Sequence, residues 1–219
     1  MIINPSNTIT DKHKHRVYKT YEQPFPFMVV ENFYREFEIE RMLREAEHLE
    51  STGKMILVPP VKLDVDKKKN RQIVLDEIYL DRDISHILKD TTQPYNDKFL
   101  TEELKRLSWF YDAWNQTNSD RTFISTYGDG DYYESHKDIA VISIMYWMWR
   151  EPKTFEGGDL RFPKYDIDVP LKRNMLMIIP SSIEHQVTPI TSGMGRWCVV
   201  KFLYITPSTY IVDNQSNIR

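Results

Sequence analysis

A mainly β domain with flanking helices (α+β), in which a helical N-terminal half buttresses a C-terminal β-structure, is the fold class this sequence predicts. Three observations predict it. From Arg121 onward, short apolar and β-branched runs alternate with turn residues, at 121–127, 140–149, 159–163, 167–171, 174–179, 185–190 and 196–206. That spacing suits a sandwich or barrel. Ahead of it, 35–50 and 99–114 carry apolar residues at helical spacing. The whole chain has 219 residues, 41% hydrophobic and 28% charged, enough for one domain with a real core.

The elements follow in order. Residues 1–20 are polar and His/Lys-rich with no apolar period, so they are expected to be a flexible arm. Residues 25–30 read as a first strand, opening after a proline. Asn32 then precedes a helix over 35–50, with Phe37, Met42, Leu43, Ala46 and Leu49 on one face and Gly53 as its stop. The charged run 62–71 (KLDVDKKKNR) reads as a solvated loop, or as a loop that helps cover a substrate. Residues 73–80 suit a strand. Residues 83–88 and 99–114 suit helices, with Leu100, Leu104 and Leu107 sharing a face of the second, and 115–120 is a connector. The domain is expected to span 21–210, with its β core at 121–206 and a polar tail at 211–219.

Composition narrows the function classes. A formal net charge of −3 offers no strong positive field for a nucleic acid backbone. The single cysteine, Cys198, cannot form an internal disulfide, which fits a reducing, cytoplasmic compartment; its place in Trp197–Val200 reads as a small buried hydrophobe. No basic segment followed by an apolar stretch opens the chain, and no apolar run approaches the ~20 residues that span a bilayer. Oligomeric state is not legible.

The residues that carry chemistry are His136-Lys137-Asp138 and, 47 residues later, His185. In an extended strand, side chains two apart share a face, with Cα atoms roughly 6.5 Å apart. His136 and Asp138 can then converge on one ion, and His185, flanked by strand-like runs, can complete the set from another strand. Two imidazoles and one carboxylate suit a non-haem Fe(II) centre with open positions. Alone, either histidine would read as structural. Trp147, Met148 and Trp149 read as core.

The segment before the ligands is more specific than the ligands. Tyr127 to Asp138 contains Y-x-x-G-x-x-Y-x-x-H-x-D, and Ile144-Met145-Tyr146, Gly157-Gly158, Ile179-Pro180-Ser181, His185-x-Val187-x-Pro189, Gly193 and Arg196 follow in order. This set resembles the prolyl 4-hydroxylase-like branch of the Fe(II)- and 2-oxoglutarate-dependent dioxygenase superfamily, over 121–206 and more weakly over 25–50. The resemblance implies a double-stranded β-helix (jelly roll, cupin-like) supported by N-terminal helices. It implies that His136, Asp138 and His185 bind the catalytic Fe(II). It also implies that Arg196 pairs with the distal carboxylate of 2-oxoglutarate, that the Tyr127 and Tyr146 hydroxyls lie near that co-substrate, and that Gly157 and Gly158 form a tight bend.

The implied activity is hydroxylation of a C–H bond in a prolyl or other amino-acid residue, or in a small molecule. O2 and 2-oxoglutarate would be consumed, succinate and CO2 released, and ascorbate is a candidate accessory. The Asp138 carboxylate argues against a halogenase, which needs that position for halide. Two departures stand out. Gly193-Met194-Gly195-Arg196 carries one residue more than the family pattern, which leaves Lys201 as a second candidate for the co-substrate. Asn174 stands where the family often has glycine, and asparagine tolerates the left-handed backbone. Two other readings remain: a non-catalytic jelly-roll module that binds or senses a metal or small acid, and a zinc hydrolase. The latter lacks a visible general base and leaves Arg196 unexplained.

Overall fold

Seven consecutive buried residues, Ile142–Met148, mark the centre of the structure. A strand buried on both faces needs a layer on each side, and this computed structural model supplies both. It describes residues 3–11, 15–57 and 68–207. Most of the charged 62–71 run and the 211–219 tail lie outside the described residues.

The chain begins with β1 (Asn7–Asp11), β2 (Arg16–Tyr21), β3 (Phe27–Glu31), α1 (Glu36–Ser51), β4 (Ile56–Leu57), β5 (Lys68–Lys69) and β6 (Arg71–Val74). Three helices follow: α2 (His86–Asp90), α3 (Gln93–Asn96) and α4 (Lys98–Leu107). Then come β7 (Ser119–Gly128), β8 (Tyr132–His136), β9 (Ile142–Met148), β10 (Phe155–Gly157), β11 (Leu160–Phe162), β12 (Ile167–Val169), β13 (Met175–Pro180), β14 (His185–Val187) and β15 (Ile190–Tyr204). The larger sheet runs β1-β2-β3-β13-β9-β15-β7-β6-β4, with β10 added on β15; the smaller runs β12-β11-β14-β8-β5. All pairings are antiparallel, and the architecture is the jelly roll the sequence led us to expect. Among the described residues no helix is long and apolar enough to cross a membrane.

The alternation of β9 sorts the core in two. Ile142, Ile144, Tyr146 and Met148 face the helices, against Ile39, Met42, Leu43 and Leu104. Met145, Trp147 and Trp149 face the smaller sheet, against Leu160, Phe162 and Ile167. The site is built in this second space.

Four local expectations are revised. Within residues 1–20, expected to be a loose arm, β1 pairs with β2 and β2 with β3. Its buried face carries Arg16, Tyr18 and Thr20, so no apolar period announces it. Arg16 Nε donates to the Phe33 carbonyl at 2.7 Å, and Arg16 pairs with Asp97 at 2.5 Å. Asp97 in turn caps α4 by accepting from Leu100 N. Phe37 is 56% exposed, and Ile39 takes its place on the buried face of α1. The strand expected at 73–80 ends at Val74. The helix expected at 99–114 breaks at Ser108, which is extended, and resumes as a 3₁₀ turn over Trp109–Gln116.

Candidate metal and co-substrate site

His136 ends β8 and His185 opens β14, and the register sets the two directly opposite each other. Directly opposed residues bring their Cβ atoms to about 5 Å, and the two imidazole rings lie 4.4 Å apart by centroid. Asp138 sits two residues past the end of β8. Its backbone N–H donates to Ser181 O at 3.0 Å, which fixes the loop. Its carboxylate oxygens stand 3.7 Å from His136 Nε2 and from His185 Nε2. One ligand atom from each of the three residues lies within 4.8 Å of the others, a spacing that lets a single ion reach all three at ~2 Å.

The surroundings fix which nitrogen points at the metal position. His136 Nδ1 lies 2.8 Å from the Glu134 carbonyl, and His185 Nδ1 lies 2.9 Å from the Ile183 carbonyl. A carbonyl only accepts, so each Nδ1 carries the proton and each Nε2 presents a lone pair. Ser143 Oγ donates to Asp138 Oδ2 at 2.6 Å and meets Ser181 Oγ at 2.8 Å. Burial raises the Asp138 pKa, against the pull of His185 and the Ser143 hydrogen bond. Tyr133 stacks on His136 with centroids 3.5 Å apart.

Arg196 is fully buried. Its Nε donates to Gly158 O at 2.8 Å and its guanidinium lies 4.5 Å from the Tyr127 ring centre, yet Nη1 and Nη2 have no acceptor among the described residues. A buried cationic fork with two idle nitrogens fits a carboxylate. Cys198, two residues along the same face, feels both Arg196, which lowers its thiol pKa, and Asp138, which raises it. Burial dominates and pushes that pKa up to about 11. Arg196 and Cys198 thus lie on one face of β15, on the core that holds Tyr127 and Trp147.

The extra residue before Arg196 is absorbed as a β-bulge: Met194 pairs with Gly128 and Arg196 with Tyr127, so Gly195 is unopposed. Gly158 is left-handed (φ 73), and a Cβ there would stand 2.8 Å from Arg196 Cδ, so glycine leaves room for the arginine stem. Asn174 is left-handed too (φ 61), and its side chain clamps the Tyr34 backbone with hydrogen bonds of 2.9 and 2.7 Å.

One placement departs from expectation. Tyr146 lies on the helix-facing side of β9, edge-on to Tyr34 at 4.6 Å, so its hydroxyl is not beside the co-substrate position. The inward residue is its neighbour Trp147, which reads as core in the sequence; its indole N–H and that of Trp149 have no acceptor among the described residues. Lys201 is five residues from Arg196 on β15 and so points to the other face, where it pairs with Asp120 at 2.9 Å. Tyr127 is buried in the same core as Trp147, with its hydroxyl pKa raised by burial.

Comparison with known proteins agrees with this geometry. Residues 122–204 match the family described as the 2OG-Fe(II) oxygenase superfamily. No curated protein matches the chain. Among solved structures, a Pseudomonas putida prolyl-4-hydroxylase aligns over 83% of this chain and 93% of its own, with 13% identity and a TM-score of 0.59. A Trichoplax adhaerens prolyl hydroxylase in complex with a hypoxia inducible factor peptide fragment aligns over 81% and 83%, with 13% identity and a TM-score of 0.60. The viral collagen prolyl hydroxylase of Paramecium Bursaria Chlorella virus-1, in its 2OG complex, aligns over 81% and 94%, with 14% identity and a TM-score of 0.53. At these identities the likeness is one of fold. The match to the 2OG-Fe(II) oxygenase superfamily covers β7 to β15, the strands that carry the whole donor set. That family's name fits the site: the two-histidine, one-carboxylate donor set suits Fe(II), and the idle guanidinium suits the carboxylate of 2-oxoglutarate.

Proposed function

We propose that the protein hydroxylates a C–H bond of a prolyl or other amino-acid residue, or of a small molecule. O2 and 2-oxoglutarate would be consumed, and succinate and CO2 released. The observation that carries this reading is the presence together of a two-histidine, one-carboxylate set and a buried guanidinium whose Nη atoms have no acceptor among the described residues. His136, Asp138 and His185 would hold Fe(II), which when bound supplies dioxygen activation coupled to oxidative decarboxylation of the keto acid.

The chain's own residues do the positioning. The Glu134 and Ile183 carbonyls hold each imidazole with Nε2 inward, and Ser143 fixes the Asp138 carboxylate. Arg196 would take the distal carboxylate, with the Trp147 and Trp149 N–H groups as further donors. Met145, Trp147 and Cys198, buried in the core beside Tyr127, would keep water out. The peptide held by the Trichoplax neighbour supports a peptide as the substrate class.

Anaerobic titration of metal-free protein with Fe(II) and then 2-oxoglutarate tests the reading. The expected result is a weak visible charge-transfer band that is absent in His185→Ala. Bound Fe(II) with no band would assign the pocket to another ligand and favour a non-catalytic binding module.

A further inference from the structure

His136 is the most exposed of the three metal-binding candidates: its side chain is 15% exposed, against 8% for Asp138 and 5% for His185. An imidazole at the water boundary has less packing to hold its plane, so its ring contacts decide how firmly it stands. Among the described residues, one aromatic ring besides His185 lies against it. Tyr133 stacks on it with centroids 3.5 Å apart and planes 11° apart. Strict alternation would forbid this pair, since residues three apart on a strand face opposite ways. The register explains it. β8 and β14 pair His136 with His185 and Tyr133 with Val187, three steps on one strand against two on the other. The extra residue is a β-bulge in β8, within 134–135. It turns Tyr133 and His136 to one side, and it leaves the Glu134 carbonyl 2.8 Å from His136 Nδ1.

Tyr133 is itself held from β5. That strand pairs with β8 so that Lys68 stands opposite Tyr133 and Lys69 opposite Tyr132. Directly opposed residues share a face, and Lys68 Nζ lies 4.9 Å from the Tyr133 ring centre, within cation–π range. The same ammonium donates to Gln72 Oε1 of β6 at 3.0 Å, and Lys69 pairs with Asp131, at the turn into β8, at 3.6 Å. A line of contacts thus runs from the segment that crosses between the sheets, through a cation and a phenol ring, to a metal-binding imidazole. The Glu134 carbonyl selects which nitrogen faces the metal position, and the stacked ring fixes the plane. We propose that Tyr133, seated by Lys68, is a positioning residue that holds His136 in its ligating orientation before the metal arrives. Metal binding then has no imidazole left to order. The proposal rests on the metal assignment above and acts through His136.

The test uses the metal-free full chain. Co(II), whose visible bands report coordination, is titrated directly, and Fe(II) affinity is read anaerobically by competition with a chromophoric chelator. Tyr133→Leu should bind both metals roughly two- to tenfold more weakly, the cost of ordering one freed side chain on binding. Tyr133→Phe, which keeps the ring face, should match wild type. Lys68→Met, which keeps the stem and removes the charge, should weaken binding in wild type but add nothing in the Tyr133→Leu background. At saturating Fe(II), the 2-oxoglutarate Kd should stay at its wild-type value in all of them. Wild-type metal affinity in Tyr133→Leu would overturn the proposal, since a ring with a purely structural role would move the melting point alone. Equal loss in Tyr133→Phe would overturn it in favour of the hydroxyl, and an undiminished effect of Lys68→Met in the double variant would break the link through the ring. No metal binding in wild type would bring down the metal assignment and this proposal with it. Metal binding without the keto-acid band would bring down the oxygenase reading alone, and the affinities of the variants would still decide the role of Tyr133.

Discussion

Arg196 and Lys201 lie on one strand, face opposite ways, and should fail differently when their charge is removed. Arg196 is fully buried with both Nη atoms idle. Arg196→Met therefore deletes a desolvated charge that no carboxylate pairs, at the loss of one hydrogen bond to Gly158 O and the contact with Tyr127, so the ligand-free protein should change little in stability. What it loses is the carboxylate contact. A charge-assisted hydrogen bond contributes about 1.5–3 kcal/mol, which corresponds to roughly 10- to 150-fold weaker 2-oxoglutarate binding. Lys201 is 2% exposed and donates to Asp120, which also accepts from Arg82 at 2.7 Å and from Tyr95 at 3.1 Å. Breaking a buried pair by removing one partner costs about 3–5 kcal/mol. Asp120 keeps two donors here, so roughly 1–3 kcal/mol is expected for Lys201→Met. For a chain of this size each kcal/mol lowers Tm by roughly 2–4 °C. The assay pairs thermal melting of the apo protein with anaerobic 2-oxoglutarate titration of the Fe(II) form. If Lys201→Met lost co-substrate affinity while Arg196→Met kept it, the assignment by strand face would be wrong.

Three further outcomes follow from the same geometry. His136→Ala and Asp138→Ala should each abolish Fe(II) binding and turnover while leaving the circular dichroism spectrum unchanged; full activity in either would remove the metal assignment. Gly158→Ala places a methyl against Arg196 at a left-handed position, so it should lower stability by about 1–3 kcal/mol and raise the 2-oxoglutarate Kd; a wild-type Kd would show that the arginine stem does not depend on that space. Burial works to raise the Asp120 pKa, but Lys201 and Arg82 outweigh it and hold the pKa below the ordinary carboxylate value. The folded state thus favours the ionised form. The stability this gives is present above the unfolded carboxylate pKa of about 3.9 and is lost as pH falls through the lower folded value. In urea unfolding across acid pH, Asp120→Asn should flatten that limb; an unchanged slope would assign the acid dependence to other carboxylates.

What the sequence made legible, and what it hid, divides along one physical line. Local spacing reported residue types and order, so the H-x-D pair, the distant histidine and the strand-rich half could be read directly. Side-chain direction was readable only where polarity alternates. In β9 every residue is buried, so nothing in Tyr146-Trp147 says which ring looks inward, and the tyrosine is the wrong one of the pair. In β2 the buried face is Arg16, Tyr18 and Thr20, which hides a core strand behind polar letters. Lys201 and Arg196 could have been separated in advance by counting five residues along a strand, but only if Gly193–Gly195 did not interrupt it. The structure shows a bulge at Gly195, upstream of both, which leaves the count intact. The opposition of His136 and His185 is a cross-strand register between segments 49 residues apart, set by turns and bulges that leave no periodic trace. Asn70 marks the limit of pattern reading: in the sequence it is one polar residue in a charged run, and its burial at a crossover between the two sheets is a consequence of topology that no local spacing carries.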